Sequence, residues 1–336
     1  MNQAFFLGVD VGGTKTHALI ANESGRVLGF GQSGSGNHEL VGYPGLINAL
    51  RQATDEALAS AGLAKEHIVA AGFGVAGYDW PSERQATLQA IGCLNLEVPV
   101  EAVNDALIGL LAGSAAGWGV AVVSGTGSNC RGWDRHRQRE GMVTSAGLLM
   151  GEGAGSAELV GKALQAIAHE WTRRGPATRL TPALVAYAGA EDLADLLEGL
   201  LDRRYSLTAA AAPAIFGVAA QGDPVALDLI RWAGRELGEL ANCVIRQLDF
   251  QGLEFDVVQV GKMYAGSPLL TETMRETIAA LAPRARLVRL TTPPVVGAVL
   301  LGMEQTGILP SAALRQALAR SAAEVQAHVP VESVEQ

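Results

Sequence analysis

An α/β fold built in two halves is what this sequence predicts, and three observations carry that reading. An apolar strand over residues 4–11 ends in Gly12-Gly13 and leads into a second strand, and residues 119–124 repeat the device with Gly125-Thr126-Gly127-Ser128. Each of these pairs opens a similar succession of strands and helices. The composition agrees: 49% of residues are apolar, 18% are charged, and 41 of 336 are Gly, so backbones can approach one another and their ligands closely. A chain of this length exceeds the roughly 250–300 residues at which a single core stops growing, so two domains are expected.

The first half reads strand, strand, strand, helix, strand, helix, strand, helix. Phe5, Leu7, Val9 and Val11 alternate along the first strand, residues 16–21 make the second, and residues 26–31 the third after the turn Asn22-Glu23-Ser24-Gly25. Pro44 opens a helix in which Leu46, Leu50, Ala53, Ala57 and Leu58 recur at helical spacing. A buried strand over 67–76 follows, then a helix over 82–91 with Ser82 as cap, a strand over 98–103 and a helix over 106–112.

The second half begins after the small-residue stretch 113–117. Strands are expected over 119–124, 129–133 and 142–145. A helical stretch runs from about 155 to 247 with breaks at Gly175-Pro176, Thr181-Pro182 and Gly222-Asp223-Pro224. A strand over 255–260, a helix over 267–281, a strand over 285–290 and a helix over 295–304 complete it. The domains are therefore drawn at 1–115 and 116–305, with a C-terminal helix and loose tail over 306–336 packing back on the first domain.

Charge and cysteine usage exclude several classes. The net charge is −9 and no basic cluster exceeds the short piece 135–139, so nucleic acid is not an expected partner. Cys93, Cys130 and Cys243 are far apart, with no CxxC pair for zinc or an iron–sulfur cluster, and such sparse thiols suit a reducing cytoplasm. The start has no basic region before a long apolar core, and the longest apolar runs, such as 295–303, fall short of the roughly 20 residues that span a bilayer. His17, His38, His67, His136, His169 and His328 show no metal-binding spacing.

The chemistry concentrates in three places. Gly12, Gly13, Thr14 and Lys15 form a turn whose successive N–H groups can cradle a phosphate, with Thr14 donating a hydroxyl and Lys15 a mobile charge. Asp10, at the end of its strand, suits Mg²⁺ held through water. The turn enters a strand, so it is not a Walker loop, and an ordinary hairpin remains the alternative. Gly125, Thr126, Gly127 and Ser128 repeat this logic, and two such turns, one per half, imply a nucleotide held in a cleft between domains. Asp105 lies between a strand and a helix, where a carboxylate can take the proton of an attacking hydroxyl; the alternative is a helix N-cap. Tyr78 and Trp80 can stack on a sugar or fill a core, His38 can touch a substrate or serve structure, Trp118, Trp171 and Trp232 read as core or interface, and 135–139 reads as a solvated loop.

Together these segments resemble the N-acetylglucosamine kinase group of the BadF/BadG/BcrA/BcrD ATPase family. The resemblance rests on Gly8–Thr16, Gly36-Asn37-His38, Gly74-Val75-Ala76-Gly77, Asn104-Asp105-Ala106, Val123–Arg131, Met150–Ala157, Val260-Gly261-Lys262 and Pro294–Ala298. It covers roughly residues 5–305, and Ser124–Arg131 is its most specific run. It implies a duplicated actin/hexokinase-like (ribonuclease H-like) ATPase fold and ATP-dependent phosphorylation of an amino-sugar 6-hydroxyl, with Mg²⁺, by a cytoplasmic homodimer that needs no membrane.

On that resemblance Thr14 and Thr126 touch ATP phosphates, Asp105 is the base, and Gly217, Gly261 and Ser267 line the adenosine pocket. Asn37, Gly77, Ser145, Ala146 and Glu152 meet the sugar. This chain departs from the family where an aromatic residue precedes Met150; it has Thr144-Ser145-Ala146-Gly147, and Gly151–Ser156 carries one extra small residue. Both departures lie at the sugar end, so glucosamine or another hexose stays open as acceptor. An ATPase activator of an iron–sulfur dehydratase is the second reading, and a non-catalytic sugar-sensing regulator the third. Scattered cysteines oppose the second. For a DNA-binding form of the third, too few residues precede Phe5 to hold a helix-turn-helix.

Overall fold

The computed structural model describes residues 3–327; the expected loose tail beyond Ala327, and His328 with it, lie outside the described residues. The chain divides into two compact units. The first comprises the residues up to Gly119, 133–138, and those from Val288 onward; the second comprises 120–132 and 139–287.

The first unit holds a five-stranded sheet of β1 (Phe5–Val11), β2 (Thr16–Asn22), β3 (Val27–Ser33), β4 (Ile68–Val75) and β5 (Val100–Asn104), in the order β3-β2-β1-β4-β5. The β1–β2 and β2–β3 pairs are antiparallel, as short turns require, whereas β4 and β5 return parallel to β1 through helical crossovers. The second unit holds β6 (Gly119–Ser124), β7 (Ser128–Trp133), β8 (Glu140–Met142), β9 (Phe255–Val260) and β10 (Ala285–Arg289), in the order β10-β9-β6-β7-β8. Read from the other edge this is β8-β7-β6-β9-β10, the strand order of the first sheet. The repeated element order in the sequence is thus a repeated topology.

Alternation along β1 sends its side chains to two cores. Phe5, Leu7, Val9 and Val11 pack with Leu46, Leu50, Ala53 and Ala57 of α1 (His38–Ala61). Phe6 faces the other way, with Leu19 and Ala70, against Val295, Val296, Val299 and Leu300 of α10 (Val295–Glu304). Gly8 permits that second contact, because a Cβ there would collide with the backbone of Val299. Leu318 and Ala322 of α11 (Ala312–Ala327) complete this core, and Ser321 Oγ accepts from Val27 N at 2.9 Å. The sequence-based end of the second domain at 305 therefore needs correction: the second unit ends at Leu287, and α10, assigned there to the second domain, is wholly buried along Val295–Met303 in the first unit.

Four local expectations also change. α1 starts at His38, six residues before Pro44, because Asn37 caps a first turn; Gly42 then breaks the helical path at φ 67°, ψ 170°, and Pro44 restarts it. Ser82 is not a cap: residues Pro81–Glu83 form a 3-10 turn ahead of α2 (Arg84–Ile91). The third strand of the second sheet ends at Met142, where Gln247 bonds both the Met142 N–H and its carbonyl. The long helical stretch is α4 (Ser156–Trp171), α5 (Leu180–Ala188), α6 (Leu193–Leu201), α7 (Ala212–Ala220) and α8 (Pro224–Gln247). Pro182 sits inside the first turn of α5, where a missing N–H costs little, while Gly189 and the Asp192 cap make the break that follows.

Trp171 is 56% exposed, so of its two readings core is excluded and interface is not. The reading of 135–139 as a solvated loop fails at one residue. Arg137 is no free loop residue: it bonds the Glu304 carboxylate through both Nη atoms, at 2.5 and 3.2 Å, donates to Gly117 O at 2.9 Å and lies over the Trp133 ring. Among the described residues no helix is long and apolar enough to cross a membrane.

The close seat of α10 on β1 is testable by Gly8→Ala. The added methyl has no space, so unfolding free energy should fall by about 1–3 kcal/mol, the usual cost of overpacking. Urea melts of the two proteins measure this, and an unchanged midpoint contradicts the packing.

Candidate functional site

The site in the first unit follows from strand direction. β1, β4 and β5 are parallel, so their carboxyl ends lie along one edge of the sheet. Asp10 is one residue from the end of β1 and registers with Gly74; Val75 registers with Asn104, the last residue of β5. Asp10, the loop after β4 and Asp105 are thereby gathered on one edge, where α/β sheets expose functional groups.

The turn after β1 is closed by Gly12 N donating to Lys15 O at 3.0 Å, which leaves Gly13, Thr14 and Lys15 exposed. Gly36 N donates to Gly12 O at 3.2 Å and Ala76 N to Val11 O at 2.9 Å, so the segments bearing Asn37 and Gly77 are both stitched to this turn. Asn37 Oδ1 accepts from Glu39 N at 2.9 Å, a cap the sequence reading did not foresee. Gly77 lies against the Asn37 and His38 side chains, where a Cβ would strike Asn37 Oδ1.

Asp105 is the first residue of α3 (Asp105–Gly113), but it is not the cap. Asn104 fills that role, its Oδ1 accepting from Ala106 N at 3.0 Å. The structural alternative for Asp105 is thus taken by its neighbour. Asp10 is half-buried, and withdrawal from water, followed by the charge of Asp105, raises its carboxyl from the ordinary 3.8 to about 7. A buried carboxylate whose proton affinity is raised by a neighbouring carboxylate prefers a cation nearby.

The second unit carries the other turn. Gly125 N donates to Gly127 O at 2.9 Å. The first turn of α4 braces the loop from below: Ser156 N donates to Gly125 O at 2.8 Å and Ala157 N to Thr126 O at 3.0 Å. The carbonyls of the loop are thereby occupied, and Thr126 and Gly127 are left exposed. Gly261, at φ 110°, abuts Ser124 O, a position that admits no side chain. Ser267 precedes α9 (Pro268–Ala279) and makes no cap hydrogen bond. Gly217 is exposed on α7 beside Phe216, whose ring packs on Gly266, so Gly217 and Ser267 each adjoin a residue of that contact, while Gly261 lies against the second glycine turn.

The segment 144–152 closes on itself. Glu152 Oε1 accepts from Thr144 N at 2.7 Å, Glu152 Oε2 from Thr144 Oγ1 at 2.8 Å, and Glu152 N donates to Gly147 O at 2.9 Å. Ser145 holds φ 60° and donates through Oγ to Asn129 Oδ1 at 3.0 Å, which ties the segment to the residue after the Gly125–Ser128 turn. Ala146 follows, half-exposed or more, with Leu148, Leu149 and Met150 exposed beyond it.

The sequence reading passed over Asp79 and the capping role of Asn104. Asp79 is 8% exposed and Asn104 3%, and Asn104 Nδ2 donates to Asp79 Oδ1 at 3.0 Å. The available signal was an acidic residue two positions after the glycine turn at the end of a parallel strand. Among the described residues no group of three or more His, Cys, Asp or Glu is arranged to hold a metal on its own. Mg²⁺ in phosphoryl chemistry needs fewer, one or two carboxylates with phosphates and water, so Asp10 beside Asp105 fits such an ion.

Comparison with known proteins places the whole chain among similar ones. The N-acetylmuramic acid/N-acetylglucosamine kinase of Clostridium acetobutylicum is 25% identical over 309 residues, covering 90% of this chain and 99% of that one. The N-acetyl-D-glucosamine kinase of Dictyostelium discoideum is 24% identical over 317 residues, with 90% and 99% covered. A ROK family glucokinase from Streptomyces griseus, solved with glucose and AMPPNP, shares the fold at TM-score 0.56 and 21% identity, covering 89% of this chain and 99% of that chain. A solved structure from Chromobacterium violaceum does so at TM-score 0.64 and 24% identity, covering 88% and 98%. Residues 7–302 match the BadF/BadG/BcrA/BcrD ATPase family, and the chain is a member of it.

Proposed function

We propose that the chain transfers the γ-phosphoryl group of ATP to the 6-hydroxyl of an amino sugar, N-acetylglucosamine first, with Asp105 as general base. One observation carries the reading: the Asp10 and Asp105 carboxylates stand at the ends of parallel strands, close enough for one to raise the proton affinity of the other. The names of both relatives at about 25% identity support an amino-sugar acceptor.

In this reading Asp105 accepts the hydroxyl proton as the sugar oxygen bonds to the γ-phosphorus, and the bond from that phosphorus to the bridging oxygen of ADP breaks. Gly12 and Gly125 spend their own N–H groups closing the two turns and so shape them; the N–H groups of Gly13 and Gly127, with the Thr14, Thr126 and Ser128 hydroxyls and Lys15, take up phosphate charge. Asp10 would hold Mg²⁺ through water, and the ion when bound would neutralise phosphate charge. Gly217, Gly261 and Ser267 receive adenosine. Asn37, Gly77, Ser145, Ala146 and Glu152 orient the sugar. With small residues at 145 and 146, no side chain of that segment offers a ring for stacking, so the acceptor is settled by a panel that includes glucosamine and neutral hexoses.

Two outcomes test the carboxylate roles. Asp105→Asn should lower kcat with Mg·ATP and the best acceptor by about 10²–10⁴-fold, the worth of a positioned base, and leave ATP affinity near the wild-type value. Wild-type turnover in that variant removes the base assignment. Asp10→Asn should abolish turnover but stabilise the ligand-free protein. The folded carboxyl keeps its proton up to about pH 7 while the unfolded one loses it near 3.8, so wild-type stability falls across that window and stays low above it. The gain in the variant should be small near pH 4 and on the order of 1 kcal/mol at pH 8. A gain that does not grow with pH contradicts the crowding of the two carboxylates.

A further inference from the structure

The Asp105 carboxylate sits on a helix start that is held by a polar network reaching back to the loop after β4. Asn104 uses both ends of its amide. Its Oδ1 caps α3 through Ala106 N, and its Nδ2 donates to Tyr78 O at 3.1 Å and to Asp79 Oδ1 at 3.0 Å. Asp79 is itself fixed from behind: Glu83 Oε2 accepts from Asp79 N and from Trp80 N, each at 2.8 Å. Glu83 Oε1 lies 3.6 Å from His38 Nε2, and His38 stacks on Tyr43 with centroids 4.6 Å apart. Asn37, the Gly77–Trp80 loop and the first turn of α3 are therefore joined by one chain of contacts, all within the first unit.

A carboxylate as buried as Asp79 costs free energy that an apolar residue of similar size would not. Stability alone gives no reason for it. What the Asp79–Asn104 pair supplies is direction, since it orients an amide whose other end sets where α3 begins.

We propose that Asp79, acting through Asn104, is a positioning residue for the Asp105 carboxylate, so that placement of the base depends on the Gly77–Trp80 loop. The proposal rests on the reading of Asp105 as the base. A misplacement of about 1 Å in a reacting group costs on the order of 10²-fold in rate. Asp79→Ala removes the side-chain acceptor and leaves only Tyr78 O for Asn104 Nδ2, Asn104→Asp opposes two carboxylates while keeping a capping oxygen, and the double swap Asp79→Asn with Asn104→Asp restores a side-chain donor–acceptor pair in reverse.

The test measures kcat per folded protein with Mg·ATP and N-acetylglucosamine, together with amide exchange of the first turn of α3. Asp79→Ala and Asn104→Asp should each lower kcat by about 10–10²-fold with KM for ATP little changed, and the swap should recover most of the loss. Exchange at the start of α3 should rise in both single variants and fall again in the swap. A purely structural role would reduce the folded fraction and leave kcat per folded molecule intact; that result, or single variants with wild-type kcat, overturns the proposal. An inactive Asp105→Asn beside a fully active Asp79→Ala removes this inference alone, whereas an active Asp105→Asn removes the base reading. Unchanged exchange at α3 in Asp79→Ala overturns the coupling whatever the activity.

Discussion

The parallel pairing of β1, β4 and β5 is the constraint on which the rest of the site depends. It forces three carboxyl ends onto one edge and sets Asp10 near Asp105. Withdrawing a carboxylate from water is costly and a second carboxylate beside it adds to the cost; the rise of Asp10 to about 7 reflects burial first and the charge of Asp105 second. A fold does not keep two such groups together for stability. Under the proposed function a cation and phosphate chemistry relieve the arrangement, and perturbed groups of this kind gather at functional sites.

The second unit solves a different problem with the same topology. Its strand order repeats that of the first sheet, yet the turn at Gly125–Ser128 is braced by the N-terminal turn of α4 beneath it, a support the first turn lacks. Occupying the carbonyls from below leaves the exposed side of the loop to its N–H groups and hydroxyls, the polarity an anion requires. The first turn is held instead by neighbouring segments, through Gly36 N and the adjacent Ala76 N. Duplication thus conserved the frame while the supports diverged.

Much of this was legible in the sequence. Alternation in β1, the two glycine turns and the repeated element order gave the topology, because these signals are local or periodic. Helix starts were less legible. Pro44 masked the earlier turn capped by Asn37, and Ser82 drew attention from Glu83, whose carboxylate closes the loop before α2. The membership of α10 was not legible, since nothing in the apolar run Val295–Met303 says which sheet it will cover; close seats such as those at Gly8 and Gly72 decide that. Asp79 was missed for a related reason: its role lies in a contact with Asn104, 25 residues away, and no spacing rule reports such a pair.

The central claim is that the paired carboxylates serve phosphoryl transfer to a sugar hydroxyl. Phosphorus NMR of purified protein with Mg·ATP and N-acetylglucosamine tests it most directly. The account expects sugar-dependent conversion of ATP to ADP with a matching amount of hexosamine 6-phosphate. ADP released at the same rate without sugar, and no phosphorylated sugar, would contradict it.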